Sequence, residues 1–134
     1  MLLSATVGAG ASPIAGDWEY ISAKPDAVYG EPQELILSIQ VNGKKICGTY
    51  MSVYRGGMKV AEGELHGTVN NAQATVTYEA GWGNTTGYGV ARLHVRHQKL
   101  EWLVTRAGPE PDYMLRSAKL HRSQAKLEKS EKCK

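Results

Sequence analysis

Phenylalanine is absent from this chain, cysteine occurs twice, and no apolar run approaches the length of a membrane-spanning helix. Each shortage removes a class of protein. A helical span needs about 18 consecutive apolar residues, so the mature chain is expected to be soluble and not membrane-spanning. The two cysteines, Cys47 and Cys133, carry no zinc-ligand spacing. They are candidates for a disulfide that ties the tail to the domain, the alternative being a buried Cys47 and a free terminal thiol. Neither the nucleophile-elbow pattern Gly-x-Ser-x-Gly nor His-Glu-x-x-His occurs. No catalytic residue, metal site or cofactor is therefore expected, and the chain reads as a non-enzyme. The histidines support no metal either: His94 and His97 are three apart, which places them on opposite faces of an extended strand.

An even distribution of positive charge is also lacking. The net charge of +3 is concentrated at the end, where residues 117–134 hold six Lys/Arg against two Glu. The final stretch SQAKLEKSEKCK has no aromatic residue, and nucleic-acid binding asks for a basic face with stacking aromatics. The tail reads as a solvated charge run, and no nucleic-acid partner is expected.

What is present suits one globular domain. The chain has 134 residues, 42% apolar and 22% charged, with 15 glycines. Many glycines and no Phe favour turns and close backbone packing over a helical bundle. The opening MLLSATVGAGASP is apolar and small, and Ala9-Gly10-Ala11 fits the A-x-A rule for signal-peptidase cleavage, with Ser12 as the first mature residue. Residues 1–15 are read as an export-signal remnant, a flexible N-terminus being the alternative. Export to the periplasm or the exterior follows as an expectation.

From residue 16 onward, side-chain alternation has the period of strands. Leu35, Leu37, Ile39 and Val41 alternate with Ile36, Ser38 and Gln40, and Asn42-Gly43 supplies a primed hairpin turn. Ala61, Gly63, Leu65, Gly67 and Val69 form one face of the next long segment. Ala72, Ala74, Val76, Tyr78 and Ala80 form one face of another, and Gly89, Ala91, Leu93 and Val95 of a third. Asn70-Asn71 and His97-Gln98 mark reversals, and a last strand is expected around Tyr113–His121. Arg92, His94 and Arg96 should point outward, cross-strand pairing with Glu62, Glu64 and His66 being the simplest explanation of both rows. About eight antiparallel strands in sequence order predict an all-β meander closed into a small up-and-down barrel over 16–121, with 122–134 as a polar tail. Closure buries the apolar face and removes exposed edges. An open sandwich is the competing fold.

Gly16-Asp17-Trp18 resembles the Gly-x-Trp that opens the first strand in the avidin and lipocalin superfamily of small barrels. Gly48-Thr49-Tyr50-Met51-Ser52 resembles the Gly-Thr-Tyr-x-Ser of avidins. The resemblance implies an up-and-down barrel whose Tyr50 and Ser52 would face a ligand. Two departures speak against biotin. Tyr20 stands where an avidin-type first strand carries Asn, and Leu115–Leu120 offers no Asp.

The stretch AGWGNTTGYG, residues 80–89, is the remaining place to look. It contains no Lys or Arg and precedes a strand, so it is not a phosphate cradle. Trp82, Asn84 and Tyr88 on a glycine frame form either a lip over a barrel mouth or a simple turn. Together with Trp18, Tyr20, Tyr50 and Ser52 they are the expected contacts for a small amphipathic molecule. The alternative is an inhibitor or immunity-type protein that blocks a secreted or periplasmic hydrolase through its loop end.

Overall fold

The computed structural model describes residues 12–21, 33–54, 59–81, 86–109 and 114–123. Eight strands follow in chain order: β1 (Gly16–Ile21), β2 (Glu34–Asn42), β3 (Lys45–Tyr54), β4 (Lys59–Asn70), β5 (Gln73–Ala80), β6 (Gly87–Arg96), β7 (Lys99–Arg106) and β8 (Ser117–Arg122). Each pairs antiparallel with its sequence neighbour, and β8 returns to β1, so the sheet is a closed barrel. The all-β meander is as expected, and the described residues contain no helix. The last strand begins later than expected and reaches Arg122.

Three tight hairpins lie at one end of the barrel, the turn end. His97 and Gln98 both take positive φ, 50° and 66°, the signature of a type I′ turn. The β2–β3 hairpin sits one residue further along than the sequence suggested. Asn42 pairs with Lys45, leaving Gly43-Lys44 as the two-residue loop with φ of 63° at Gly43. The β4–β5 turn has likewise moved by one, with Asn70 paired to Gln73 and Asn71 at φ 58°. The longer connections, which include 22–32, 55–58, 82–85 and 110–113, join strands at the opposite end, the loop end.

Alternation decides what fills the interior. Trp18, Leu35, Leu37, Ile46, Leu65, Tyr78, Leu93, Leu100, Trp102 and Leu120 are all buried in a single cluster. Two large aromatics require space that their neighbours surrender. A Cβ on Gly89 would come within 2.2 Å of the Tyr78 ring, so the ring lies flat on bare backbone. At Gly67 the obstacle is main chain, with Thr75 O 2.0 Å from the position of a Cβ. Glycine there allows the strong coiling that a small barrel demands.

β2 departs from the alternation. Leu35 to Ile39 are buried without interruption, whereas β5 alternates buried with exposed positions.

Candidate functional site: the loop-end mouth

The two ends of the barrel are finished differently. At the turn end Trp18 is fully buried, and its indole N–H donates to Ile14 O at 2.8 Å. The Arg122 guanidinium lies 3.9 Å from the Trp18 ring centroid and donates to Ala15 O and Pro13 O at 2.5 and 2.8 Å. A planar cation with a fork of donors suits this task, since it stacks and caps carbonyls together. Burial lowers the Arg122 pKa from the usual arginine value and Asp17 opposes that shift. The side chain stays charged. This latch closes the short β8–β1 seam, where only Trp18↔Arg122 and Glu19↔His121 are paired. Trp18, expected as ligand lining, thus serves the turn-end latch, where it also borders an open cleft of about 630 Å³ with His97, Lys99 and His121; a second cleft of about 660 Å³ lies beside the β2–β3 and β4–β5 turns.

The middle is occupied by aromatics. Tyr78 stands edge-on to Tyr50 at 6.2 Å between centroids and tilted against Trp102 at 6.0 Å. Each polar tip is held: Tyr50 Oη donates to Glu79 O at 2.5 Å and Trp102 Nε1 donates to Leu115 O at 2.9 Å. These bonds remove the desolvation cost of burying an O–H and an N–H. Tyr50 is therefore part of a plug.

Above the plug, toward the loop end, four inward positions form a row in register across β1 to β4: Tyr20, Leu35, Ser52 and Ala61. Ser52 is fully buried, while Tyr20, Ala61 and Ala80 are only partly covered. On the far side Met114 and Leu115 turn into the core and fill the space under β7 and β8. The inward row itself lies on the β1–β4 side of the barrel.

There the wall is also parted. The β4–β5 ladder ends at Leu65↔Tyr78, although β4 continues down to Lys59. The Glu79 carboxylate bridges the parting by accepting the Glu64 N–H at 2.9 Å, while the carbonyl of the same residue takes the Tyr50 hydroxyl. Tyr88 pairs with Glu79 and, with Gly89 inward, points to the outside, 59% exposed. It belongs to the outer rim, where Ile21 and Val60 are also exposed. Trp82 and Asn84 lie outside the described residues.

The outer rows follow a different scheme from the one expected. β5 separates β4 from β6, so Glu62, Glu64 and His66 cannot face Arg92, His94 and Arg96 across a shared ladder. His66 instead meets Glu64 at 3.0 Å on its own strand, and Arg96 meets Glu101 at 3.3 Å. Charge is unevenly spread around the barrel. β1 to β4 hold Asp17, Glu19, Glu34, Glu62 and Glu64 against Lys45 and Lys59, while β6 to β8 hold Arg92, Arg96, Lys99, Arg106, Lys119 and Arg122 against Glu101. The domain itself therefore has a basic side, where the sequence suggested that basic character lay in the tail. A groove of about 360 Å³ on that side is lined by Arg92, His94, Arg96, Glu101 and Leu103 among others. No group of three or more His, Cys, Asp or Glu positioned for a metal occurs among the described residues. No helix among them is long and apolar enough to cross a membrane.

No family model matches the chain, and neither the curated proteins nor the solved structures contain a match. The architecture is compatible with a calycin-like barrel at the level of fold. The latch residue Arg122 was not anticipated from sequence; the available signal was an isolated Arg ending the last strand of a barrel whose first strand opens with Gly-x-Trp.

Proposed function

We propose that this is a non-enzymatic, exported binding barrel of the avidin and lipocalin kind, holding a small amphipathic molecule at its loop-end mouth. The observation that carries this reading is the in-register inward row at the loop end above an aromatic plug, in which Tyr20 and Ala61 are only partly buried. The plug keeps a ligand shallow. Leu35, Ala61 and Ala80 supply apolar contact, and the Tyr20 phenol and Ser52 hydroxyl supply polar character beside it, the mixture typical of small-molecule sites. Trp82 and Asn84, outside the described residues, enter this reading from the sequence alone. The outward Tyr88, Ile21 and Val60 favour a second reading, in which the rim is the contact surface of an inhibitor for an exported hydrolase.

Native mass spectrometry on protein purified from its own source separates the two. A retained mass of a few hundred daltons, lost on Ala61→Trp, supports the mouth-bound ligand. A retained protein partner, lost on Tyr88→Ala, supports the rim. A bare chain from every preparation contradicts both.

A further inference from the structure

A closed barrel presents a strand edge only where a ladder stops short, and the β4–β5 ladder does. It ends at Leu65↔Tyr78, whereas β4 runs on to Lys59 with β3 paired along its other side. Which main-chain groups face the parting follows from three bonds. Val69 N donates to Lys44 O at 2.9 Å, and the β3–β4 register has no shift, so the odd-numbered residues of β4 turn their N–H and C=O toward β3. The even-numbered ones face β5: Glu64 N donates to the Glu79 carboxylate, and His66 O accepts from Thr77 Oγ1 at 3.2 Å. Beyond Glu64 this leaves Glu62 and Val60, whose N–H and C=O groups point to the side that β5 has left. Among the described residues no strand pairs with them there.

The side chains around this edge have a definite character. Glu62 and Val60 stand outward and exposed, Val60 at 47%. Glu64 and Glu79 add carboxylates beside Glu62, of which that of Glu64 meets His66. Tyr88 is exposed on the far side of the parting, where it pairs with Glu79. Between the outward residues, Ala61 and Gly63 face the lumen, and the Tyr50 ring and Glu79 side chain fill the place where Gly63 would carry a Cβ.

We infer that the β4 edge from Lys59 to Gly63 is a strand-addition site for an extended segment of a partner protein that carries a basic residue and, two positions later, an aliphatic one. The segment takes up the register that β5 abandons, antiparallel to β4, so that its two outward residues exchange N–H and C=O bonds with Glu62 and Val60. Opposite Glu62 a Lys or Arg forms a cross-strand ion pair, and opposite Val60 a β-branched side chain packs. The residue between them turns inward beside Ala61, where a small side chain suits the half-covered row. Glu79 ends the site, because its carboxylate already holds the Glu64 N–H. Strand addition needs no ligand at the mouth, whose contacts are side chains of the inward row.

The probe is an acetylated and amidated heptapeptide with lysine third, alanine fourth, valine fifth and threonine elsewhere. Amide hydrogen exchange followed by NMR reads the edge on the full chain. Without peptide, the Val60 and Glu62 amides should exchange much faster than those of Ala61 and Gly63, which face β3. Adding the peptide should slow Val60 and Glu62 several-fold and leave Ala61 and Gly63 unchanged. The same peptide N-methylated at lysine and valine should have no effect, and one with glutamate in place of lysine should have little. On the Glu62→Lys variant the glutamate peptide should become the better of the two. No slowing at Val60 and Glu62, or equal slowing by the N-methylated peptide, would overturn the proposal. Slow exchange of both amides in the free chain would overturn it as well. Independent of protein concentration, it would assign the edge to a segment of this chain; growing with concentration, to a second copy.

Discussion

Two outer faces of one barrel invite comparison. On β2 and β3, Ile36, Ser38 and Cys47 are sealed from solvent; on β6 and β7, Arg92, Arg96 and Leu103 stand in it, Leu103 at 51% exposure. Both faces belong to the same closed sheet, so closure does not explain the difference. Exposure is instead a property of what lies outside the barrel. A sheet with one wet face alternates polar and apolar residues, and a strand buried on both faces reads as a continuous apolar run. The segment Leu35-Ile36-Leu37-Ser38-Ile39 has the second character and Gln73-Ala74-Thr75-Val76-Thr77 has the first.

The sharpest break of this comparison is a matched pair of truncations. Ile36→Ala should cost roughly 2–4 kcal/mol in denaturant unfolding, the usual loss for a buried branched side chain. Leu103→Ala should stay within about 0.5 kcal/mol, as an exposed position does. Equal losses would erase the distinction between the faces. Next in size is the latch. Arg122→Ala should cost about 2 kcal/mol by removing two charge-assisted carbonyl contacts and the stacked cation, whereas Arg92→Ala on the exposed face should be close to neutral. The smallest effect concerns Ser38, whose Oγ has no hydrogen-bond partner. Ser38→Ala should leave stability unchanged or raise it by up to about 1 kcal/mol; a loss beyond 1 kcal/mol would show that the hydroxyl is bonded in solution.

Much of the barrel was legible because period-2 alternation assigns each residue a face, and the inward sets on β4, β5 and β6 are the expected ones. Hairpin loops moved by one residue at Gly43 and Asn71, since an Asn-Gly or Asn-Asn pair marks a reversal without stating which residue takes positive φ. The ion-pair scheme failed because alternation identifies faces and not neighbours; only strand order reveals that β5 lies between the acidic and basic rows. The site was less legible still. Sequence placed Trp18, Tyr50 and Tyr88 in one pool of aromatics. The fold divides them among a turn-end latch, a central plug and an outer rim, because position along a strand fixes depth and parity fixes side. Of the described candidate residues, Tyr20 and Ser52 share the loop-end row, together with Leu35 and Ala61.

The central claim is that a ligand is received at the loop-end mouth and not in the turn-end clefts. Backbone amide NMR shifts during titration with an amphipathic naphthalene sulfonate probe test it most directly. The account predicts that the largest changes gather at Tyr20, Ser52, Ala61 and Ala80, with Trp18, His97 and Lys99 unmoved. Changes centred on the turn end, or on the basic face around Leu103, would contradict it.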